Sequence, residues 1–463
     1  MMRKYVLYIL FLWIIQEASG AELAISTAPN HQLRPSVASS GTNYLTVWGD
    51  NRNSSSTGTD IWGRIISIDG IPLDSFPICT LTQNQHFPEV AWGASKYLVT
   101  WMYEGSKIYG QFVDINGNLI DATFLIGDGL SLPLWKGNDV ESNGDNFLVA
   151  WAECPSPGEF DIAGRVIQSD GTPVGPVFTI CDVPDTQRAP KVVGVGTNYL
   201  IAWADFRTGK WNIYGQRVSP GGTLIGGNFS ITPKSVPQGS PALASNDSCV
   251  LVAWEEDHGV FLGWDIHGSI LDTAMNVLHS DFTISMASWD QRLPCACWHL
   301  KTSKFIVGWH DYRDGSADIW IREVNKDASL DSEQKITTLS VEQREPDIAC
   351  SNVCFLIVWE DYRQGSGNVD VYGYVPTTCP VEEKKCLIGE VKIAPNPFVS
   401  FVKFIGIKER IRIYDVQGRF VKELDANQIW YGKDARGREV PSGTYFVYPI
   451  RKSSFPIQKI IKL

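Results

Sequence analysis

The chain lacks the features that mark helical, membrane-spanning and nucleic-acid-binding proteins. After residue 20 no apolar run reaches eighteen residues, so the mature chain has no predicted membrane span. No helical period persists over eleven residues between positions 21 and 375. Basic residues are outnumbered, with 40 Lys and Arg against 51 Asp and Glu, a net charge of -11. We therefore expect no nucleic-acid partner, because phosphate binding needs a basic face.

Catalytic signatures are also missing. The sequence contains no HExxH, no GxSxG, no phosphate-binding loop and no dinucleotide fingerprint. The Ser-x-Asp-x-Gly-x-x-Trp box of sialidases is absent as well. The seven histidines are dispersed, and we expect neither a metal nor another cofactor. A pair of carboxylates brought together from distant segments stays open, because only the folded chain would reveal it.

The first twenty residues have the pattern of a signal peptide. Arg3 and Lys4 supply a positive start, residues 6–15 form an apolar run, and three small residues precede position 21. The pattern predicts cleavage between Gly20 and Ala21 and a protein that is secreted or held on the outer cell surface. An uncleaved anchor is the alternative.

The ten cysteines all follow the predicted cleavage point and have no zinc-binding spacing. Export permits disulfides. Cys350 and Cys354 flank a short turn, and Cys379 and Cys386 bracket a short linker, so each pair could form a local disulfide. Buried free thiols are the alternative, because connectivity does not follow from sequence.

Tryptophan reveals an internal repeat of about 50 residues. It recurs at seven positions: Trp48, Trp101, Trp151, Trp203, Trp254, Trp309 and Trp359. A proline precedes six of them by thirteen or fifteen residues: Pro35, Pro88, Pro190, Pro241, Pro294 and Pro346. The third repeat has Asn138 at this place. Seven copies of one unit indicate a repeat architecture.

Each repeat contains four strand-like runs separated by turn residues. The first run is short and contains small residues, as in Val37-Ala38. The second run ends at the tryptophan, and the third contains an aromatic residue followed by glycine, as in Trp62-Gly63. Turns such as Asp69-Gly70 indicate hairpins. These features predict an all-β fold with a seven-bladed β-propeller over residues 21–375. A parallel β-solenoid is the rival architecture, and hairpins argue against it.

The ends of the repeat region predict how the ring closes. The seventh repeat stops after its third strand, while residues 23–26 form a spare strand ahead of the first repeat. We expect this N-terminal strand to complete the last blade and latch the ring.

A second domain follows. Residues 376–390 read as a linker, and residues 391–463 read as alternating strands of a small β-sandwich. The latter carry four short motifs: Pro395-Asn396-Pro397-Phe398, Ile413-Tyr414-Asp415-Val416-Gln417-Gly418-Arg419, Trp430 with Gly432, and Pro441-Ser442-Gly443-Thr444-Tyr445-Phe446.

This set of motifs resembles the type A C-terminal sorting domain of type IX secretion cargo and the related Ig-like domain of the flagellar hook-capping protein. The resemblance implies an Ig-like sandwich, passage across an outer membrane and the export machinery as a partner. A plain structural module is the alternative.

An acidic residue lies two positions after six of the tryptophans. The set comprises Asp50, Glu153, Asp205, Glu256, Asp311 and Asp361. All six would lie on one face of the ring, where they could bind cations or a polyhydroxylated ligand. The other interpretation is that they serve the fold, since Asp bonds to turn backbone and to the arginine that often follows.

The loops between the second and third strands of the repeats differ in length, so this face of the ring is asymmetric. Residues 51–60 form the longest such loop, and the fifth repeat carries the dense run Glu255-Glu256-Asp257-His258, for which a metal or general-base role is conceivable. The hypothesis is a monomeric, non-catalytic binding or scaffold protein with an extracellular carbohydrate or protein ligand. The alternative is a secreted hydrolase or lyase that acts on polysaccharide.

Overall fold

The computed structural model describes residues 20–128, 137–156, 158–246, 248–259 and 263–376 of the first part of the chain. In the second part it describes residues 392–394, 401–405, 410–415, 419–425, 429–449 and 458–462. The chain divides into two compact units, Met1–Cys379 and Pro380–Leu463. Apart from Gly20, the predicted signal peptide lies outside the described residues, as does all of the predicted linker except Pro376.

The first unit consists of seven antiparallel sheets of four strands each, the blades. Strand β1 covers Gly20–Ser26, and the others follow in chain order. Blade one contains β2 (Gln32–Ser39), β3 (Asn43–Asp50), β4 (Asp60–Ser67) and β5 (Pro72–Cys79); blade two contains β6 (Gln85–Gly93), β7 (Lys96–Tyr103), β8 (Lys107–Val113) and β9 (Leu119–Gly127); blade three contains β10 (Asn138–Ser142), β11 (Phe147–Ser156), β12 (Glu159–Ile167) and β13 (Pro173–Cys181). Blade four contains β14 (Gln187–Val195), β15 (Asn198–Asp205), β16 (Asn212–Val218) and β17 (Leu224–Ser230); blade five contains β18 (Gln238–Ser245), β19 (Cys249–Asp257), β20 (Trp264–Asp272) and β21 (Val277–Ser285). Blade six contains β22 (Gln291–His299), β23 (Lys304–Asp311), β24 (Asp318–Val324) and β25 (Gln334–Lys335), and blade seven contains β26 (Gln343–Cys350), β27 (Phe355–Asp361), β28 (Asp370–Pro376) and β1.

The blades form a closed ring, which confirms the predicted seven-bladed propeller. The first strand of each blade contacts the first strand of the next, and β26 returns to β2. Small side chains such as Val37 and Ala38 lie on these inner strands, as the crowded axis requires. The seven repeat tryptophans are fully buried. Trp101, for example, packs with Leu45 and Ile61 of the preceding blade, so the indoles fill the space between blades.

The N-terminal strand closes the ring as the sequence predicts. β1 is the outermost strand of blade seven and pairs antiparallel with β28, from Gly20 opposite Pro376 to Ala24 opposite Tyr372. Ile25 is fully buried in the core between blades seven and one.

Six inner strands share a local distortion at the residue before the proline. This residue has a positive φ of 43–54° in each case: Arg34, Phe87, Ala189, Ser240, Leu293 and Glu345. Each coincides with a register shift against the second strand. A bulge of this kind re-aims the side chain, and all six residues line one central cavity.

The second unit is a small β-sandwich. One sheet contains β29 (Lys392–Ala394), β30 (Val402–Ile405) and β33 (Ile429–Trp430), and the other contains β31 (Ile411–Asp415), β32 (Phe420–Leu424), β34 (Gly443–Pro449) and β35 (Gln458–Lys462). Val402 and Trp430 of the first sheet share a core with Ile413, Tyr445 and Val447 of the second.

The predicted local disulfide between Cys350 and Cys354 is wrong. Cys350 instead bonds to Cys297, which joins the inner strands β22 and β26 of adjacent blades. The reason lies in the alternation of side chains across a strand pair. Cys350 faces blade six, whereas Cys354 belongs to the core shared with blade one. Cys379 and Cys386 lie outside the described residues.

Candidate functional site

In four blades the acid after the tryptophan is held in a clasp, defined here as the tryptophan, the acid, the following arginine and an aromatic ring. In blade four, Asp205 Oδ2 accepts hydrogen bonds from Trp203 Nε1 (2.8 Å) and Arg207 Nη2 (2.6 Å). Arg207 also stacks over the ring of Tyr214 at 4.0 Å. The same contacts surround three further buried acids: Asp50, Asp311 and Asp361. These four carboxylates have no exposed surface, so the clasp supports their fold role over ligand binding.

The other two acids of the predicted ring depart from the clasp. Glu153 is half-buried, and blade three has Pro155 at the arginine position. Glu256 accepts hydrogen bonds from Lys234 (2.8 and 3.0 Å), and His258 occupies the arginine position of blade five. Each acid stays with the tryptophan of its own blade, so the structure does not gather the six predicted binding residues into one site.

The inner strands line a central channel, and seven equivalent positions, most of them polar, form a ring of side chains around it. The ring is formed by the residue after the inner-strand proline or Asn138: Ser36, Glu89, Asp139, Lys191, Ala242, Cys295 and Asp347. Lys191 Nζ lies 2.7 Å from Asp139 Oδ1 and 3.7 Å from Glu89 Oε1. The cavity here measures about 170 Å³. It has room for several water molecules.

Burial sets the ionisation of the channel groups. Burial favours a neutral amine, but the carboxylates of Asp139 and Glu89 together raise the pKa of Lys191 and keep it charged. Glu141 lies two residues after Asp139 on β10. Burial raises its pKa to about 8. The channel therefore combines a cation, acidic side chains and one carboxyl that holds its proton at neutral pH.

The channel mouth is asymmetric at the position directly after the tryptophan. That position is small or apolar in blades one to four and ionisable in blades five to seven: Gly49, Met102, Ala152, Ala204, Glu255, His310 and Glu360. Glu255 Oε2 accepts hydrogen bonds from the backbone of Leu293 (2.9 Å) and from Arg292 Nε (3.0 Å). Glu360 likewise accepts the backbone N–H of Arg34 (2.8 Å) in the next blade.

His310 lies near enough to Glu345, which lines the channel, for the two groups to interact electrostatically. We call Glu255, His310, Glu345 and Glu360 the mouth cluster. Burial lowers the pKa of His310 to about 4, although nearby Glu345 opposes this, so the imidazole is neutral at pH 7. Burial and the like charge of Glu345 raise the pKa of Glu360. Perturbed groups of this kind cluster at functional sites.

Aromatic side chains border the mouth cluster. Tyr362 donates to Glu360 Oε2 (3.1 Å), and Trp264 stacks on Arg292 at 4.2 Å. Trp289, in the loop before blade six, is 71% exposed, and its backbone carbonyl lies close to Gly263, just before β20. The sequence singled out only Glu255 of this cluster, within the acidic run of the fifth repeat, although aligning the residue after each tryptophan would have found three of its four members.

The acidic run of the fifth repeat divides between two places. Glu255 belongs to the mouth cluster, whereas Glu256 and His258 lie on the other side of β19 beside Asp265 and His267. His258 Nε2 is 3.5 Å from Glu256 Oε1 and 3.5 Å from Asp265 Oδ2. We call Glu256, His258, Asp265 and His267 the imidazole cluster. His267 was not singled out from the sequence, because it lies nine residues beyond His258.

No protein-family description matches this sequence, and no curated protein is similar to it. Among solved structures, a protein of unknown function from Dyadobacter fermentans has a TM-score of 0.46 at 10% identity and covers 78% of this chain and 98% of its own. An α-L-arabinanase of Penicillium chrysogenum complexed with arabinobiose has a TM-score of 0.44 at 10% identity, covering 77% and 98%. PorZ, a surface component of the type IX secretion system of Porphyromonas gingivalis, has a TM-score of 0.40 at 12% identity, covering 92% of this chain and 59% of its own. These are likenesses of fold alone. Within the described residues no helix has the length and apolarity needed to cross a membrane.

Proposed function

We propose that this is a secreted or surface-held β-propeller that binds a carbohydrate at the channel mouth. The observation that carries the proposal is the mouth cluster, which breaks the seven-fold equivalence in three adjacent blades only. Repeat positions that serve the fold recur in every blade, whereas a binding site needs unlike neighbours.

The chemistry of the mouth suits a polyhydroxylated ligand. Glu345 offers acceptor oxygens, Arg292 and Tyr362 offer donors, and the exposed Trp289 offers a flat apolar surface. Sugars combine hydroxyl groups with apolar ring faces, and ligand sites typically combine aromatic surface with a few placed polar groups. A phosphate-rich ligand is disfavoured by the acids.

The export route is part of the same proposal. Residues 1–20 act as a signal peptide, residues 21–375 form the binding propeller, residues 376–390 form a linker, and residues 391–463 act as an Ig-like sorting domain for the export machinery. The motifs of residues 391–463 and their two-sheet core support this division. Of those motifs, Pro395 to Phe398 and residues 416–418 lie outside the described residues.

Hydrolysis of the bound carbohydrate is the second candidate. Glycoside hydrolysis uses one protonated and one ionised carboxyl group. Burial and the nearby charge of Glu345 raise the pKa of Glu360, which favours its protonated form. In this scheme Glu360 donates the proton and Glu345 is the ionised partner.

A glycan array paired with a reducing-sugar assay tests both candidates on the mature protein. We expect binding to a defined set of glycans, and a loss of about tenfold or more in affinity for Glu345→Gln. Asp74→Asn, the same charge change on an exposed outer strand, should bind normally. Equal binding by Glu345→Gln and wild type would refute the mouth site. Release of reducing ends that disappears in Glu360→Gln would establish hydrolysis, and binding without release would exclude it.

A further inference from the structure

In blade five, residue types that commonly bind metals occupy the positions of the clasp. The arginine position of the clasp is His258, and the aromatic position, filled by Tyr214 in blade four, is His267. The acid of the clasp is retained as Glu256. In place of a guanidinium stacked on a ring, this blade presents two imidazoles and two carboxylates.

The spacing of these groups suits a small ion. One ligand atom from each of Glu256, His258 and His267 lies within 4.8 Å of the others. The two contacts of His258 Nε2, to Glu256 and to Asp265, are both 3.5 Å. Bonds of about 2.0–2.1 Å in a tetrahedron place ligand atoms roughly 3.4 Å apart.

A second, independent observation comes from buried atoms without hydrogen bonds. Asp265 is 3% exposed, and its Oδ1 has no hydrogen-bond partner in the part of the chain that the structure describes. His258 is partly exposed, but its Nε2 likewise has no hydrogen-bond partner among the described residues and lies 3.5 Å from the other oxygen of Asp265, Oδ2. Buried polar groups are rarely left unsatisfied, because each costs about 1–3 kcal/mol. A bound cation would satisfy both atoms.

We propose that the imidazole cluster of Glu256, His258, Asp265 and His267 binds a transition-metal ion, with Zn²⁺ as the best match. A mixed set of imidazole nitrogens and carboxylate oxygens suits Zn²⁺, whereas Ca²⁺ and Mg²⁺ prefer oxygen alone. His267 Nδ1 lies 3.2 Å from Asp281 Oδ1. A carboxylate at that distance fixes the tautomer and the ring orientation of a ligating histidine.

Lys234 provides the internal competitor. Its Nζ lies 2.8 Å from Glu256 Oε1 and 2.5 Å from Asp281 Oδ1. Without metal, this ammonium neutralises the carboxylates, much as arginine does in the clasp. A bound metal ion would neutralise the carboxylates in place of this ammonium. Lys234 therefore competes with the metal and lowers the metal affinity of the site, but does not prevent binding.

The test is titration of the purified, metal-free mature protein with Zn²⁺ by calorimetry, and with Co²⁺ by visible absorption. We expect one ion per chain, and for Co²⁺ the intense absorption of a four-coordinate site. His258→Arg and His267→Tyr restore the residue types of blade four, so these variants should fold and should lose about 100-fold or more in Zn²⁺ affinity. Lys234→Met should bind Zn²⁺ more tightly than wild type.

The control is His279→Gln, which removes an imidazole from the outer strand of the same blade and should leave binding unchanged. Thermal melts of all variants without metal verify that the propeller is intact. Failure of the wild type to bind Zn²⁺ up to millimolar concentration would overturn the proposal. So would binding that survives in the folded His258→Arg and His267→Tyr variants.

Discussion

Glu22 on the N-terminal strand accepts a hydrogen bond from Arg363, a residue 341 positions further along the chain. Arg363 is also the clasp arginine of blade seven, where it holds Asp361. The guanidinium therefore connects the internal structure of the last blade to the strand that completes it. The latch is both a backbone pairing and a charged contact.

Shortening one buried side chain of the latch should destabilise the whole propeller. Ile25 is fully buried between blades seven and one, and Ile25→Ala should cost about 2–5 kcal/mol in the free energy of unfolding. Deletion of residues 21–28 should lower the melting temperature further. Ala24→Ser, at an exposed position of the same strand, should melt like wild type. An unchanged melt after the deletion would refute the latch.

The bond between Cys297 and Cys350 should be detectable and stabilising. An unreduced digest should contain the two peptides linked, as read by mass spectrometry. The double variant Cys297→Ala/Cys350→Ala should lose about 2–4 kcal/mol in the free energy of unfolding, measured in urea. Cys249→Ala, which removes a buried free thiol, should have a much smaller effect. A digest that links Cys350 to Cys354 would contradict the structure.

Breaking one clasp should affect stability and leave ligand binding alone. Asp205→Ala removes the acceptor of Trp203 and the partner of Arg207, and should cost about 2 kcal/mol or more in urea denaturation. Glu153→Ala, in a blade without the arginine, should cost less. If Asp205→Ala instead kept full stability and lost glycan binding, the acidic ring would be a ligand site after all.

Glu141 should make the stability of the propeller depend on pH. Burial raises its pKa to about 8 in the folded protein, against about 4.3 in an unfolded chain. The folded state therefore binds more protons between these values, and the free energy of unfolding should fall as pH rises from about 5 to 8. The slope contributed by one group is at most about 1.4 kcal/mol per pH unit. Glu141→Gln should flatten the urea midpoint across this range, and an identical slope in the variant would exclude Glu141 as its source.

Removing the exposed indole at the mouth should weaken carbohydrate binding. Trp289→Ala should lower glycan affinity about tenfold, because the side chain presents an apolar face without being needed for the core. Met286→Ala, at an equally exposed position of the same loop, is the matched control. Similar losses in both variants would point to the loop as a whole and not to the indole.

The ring could be predicted from sequence because each blade repeats the same local instructions. The same pattern of tryptophan, proline and turn residues recurs along the chain, with seven tryptophans and six prolines, and it predicts the blades. The spare strand at residues 23–26 predicts how the ring closes. The same uniformity hid the residues of the two proposed sites. Glu255 and Glu256 are adjacent in sequence but lie on opposite sides of a strand, so one belongs to the mouth cluster and the other to the imidazole cluster.

Contacts between blades were beyond sequence reasoning for a different reason. Cys350 is four residues from Cys354 and 53 from Cys297, yet only the distant residue lies on the correct face. Likewise, Glu345 approaches His310 across a blade boundary. Local spacing decides which face of a strand a side chain occupies, and the packing of blades then decides what it meets.

The pairing of β1 with β28 also dictates an order of events during folding. Within the propeller β1 is the first strand in the chain and its partner β28 is the last, so β1 can pair only after the other strands have been synthesised. Until then the outer edge of blade seven and the Ile25 strand are both unpaired, which are conditions that favour aggregation. Closure over so long a stretch of chain is slow. A chaperone that shields β1 until β28 is available would thus protect the molecule at its most vulnerable stage.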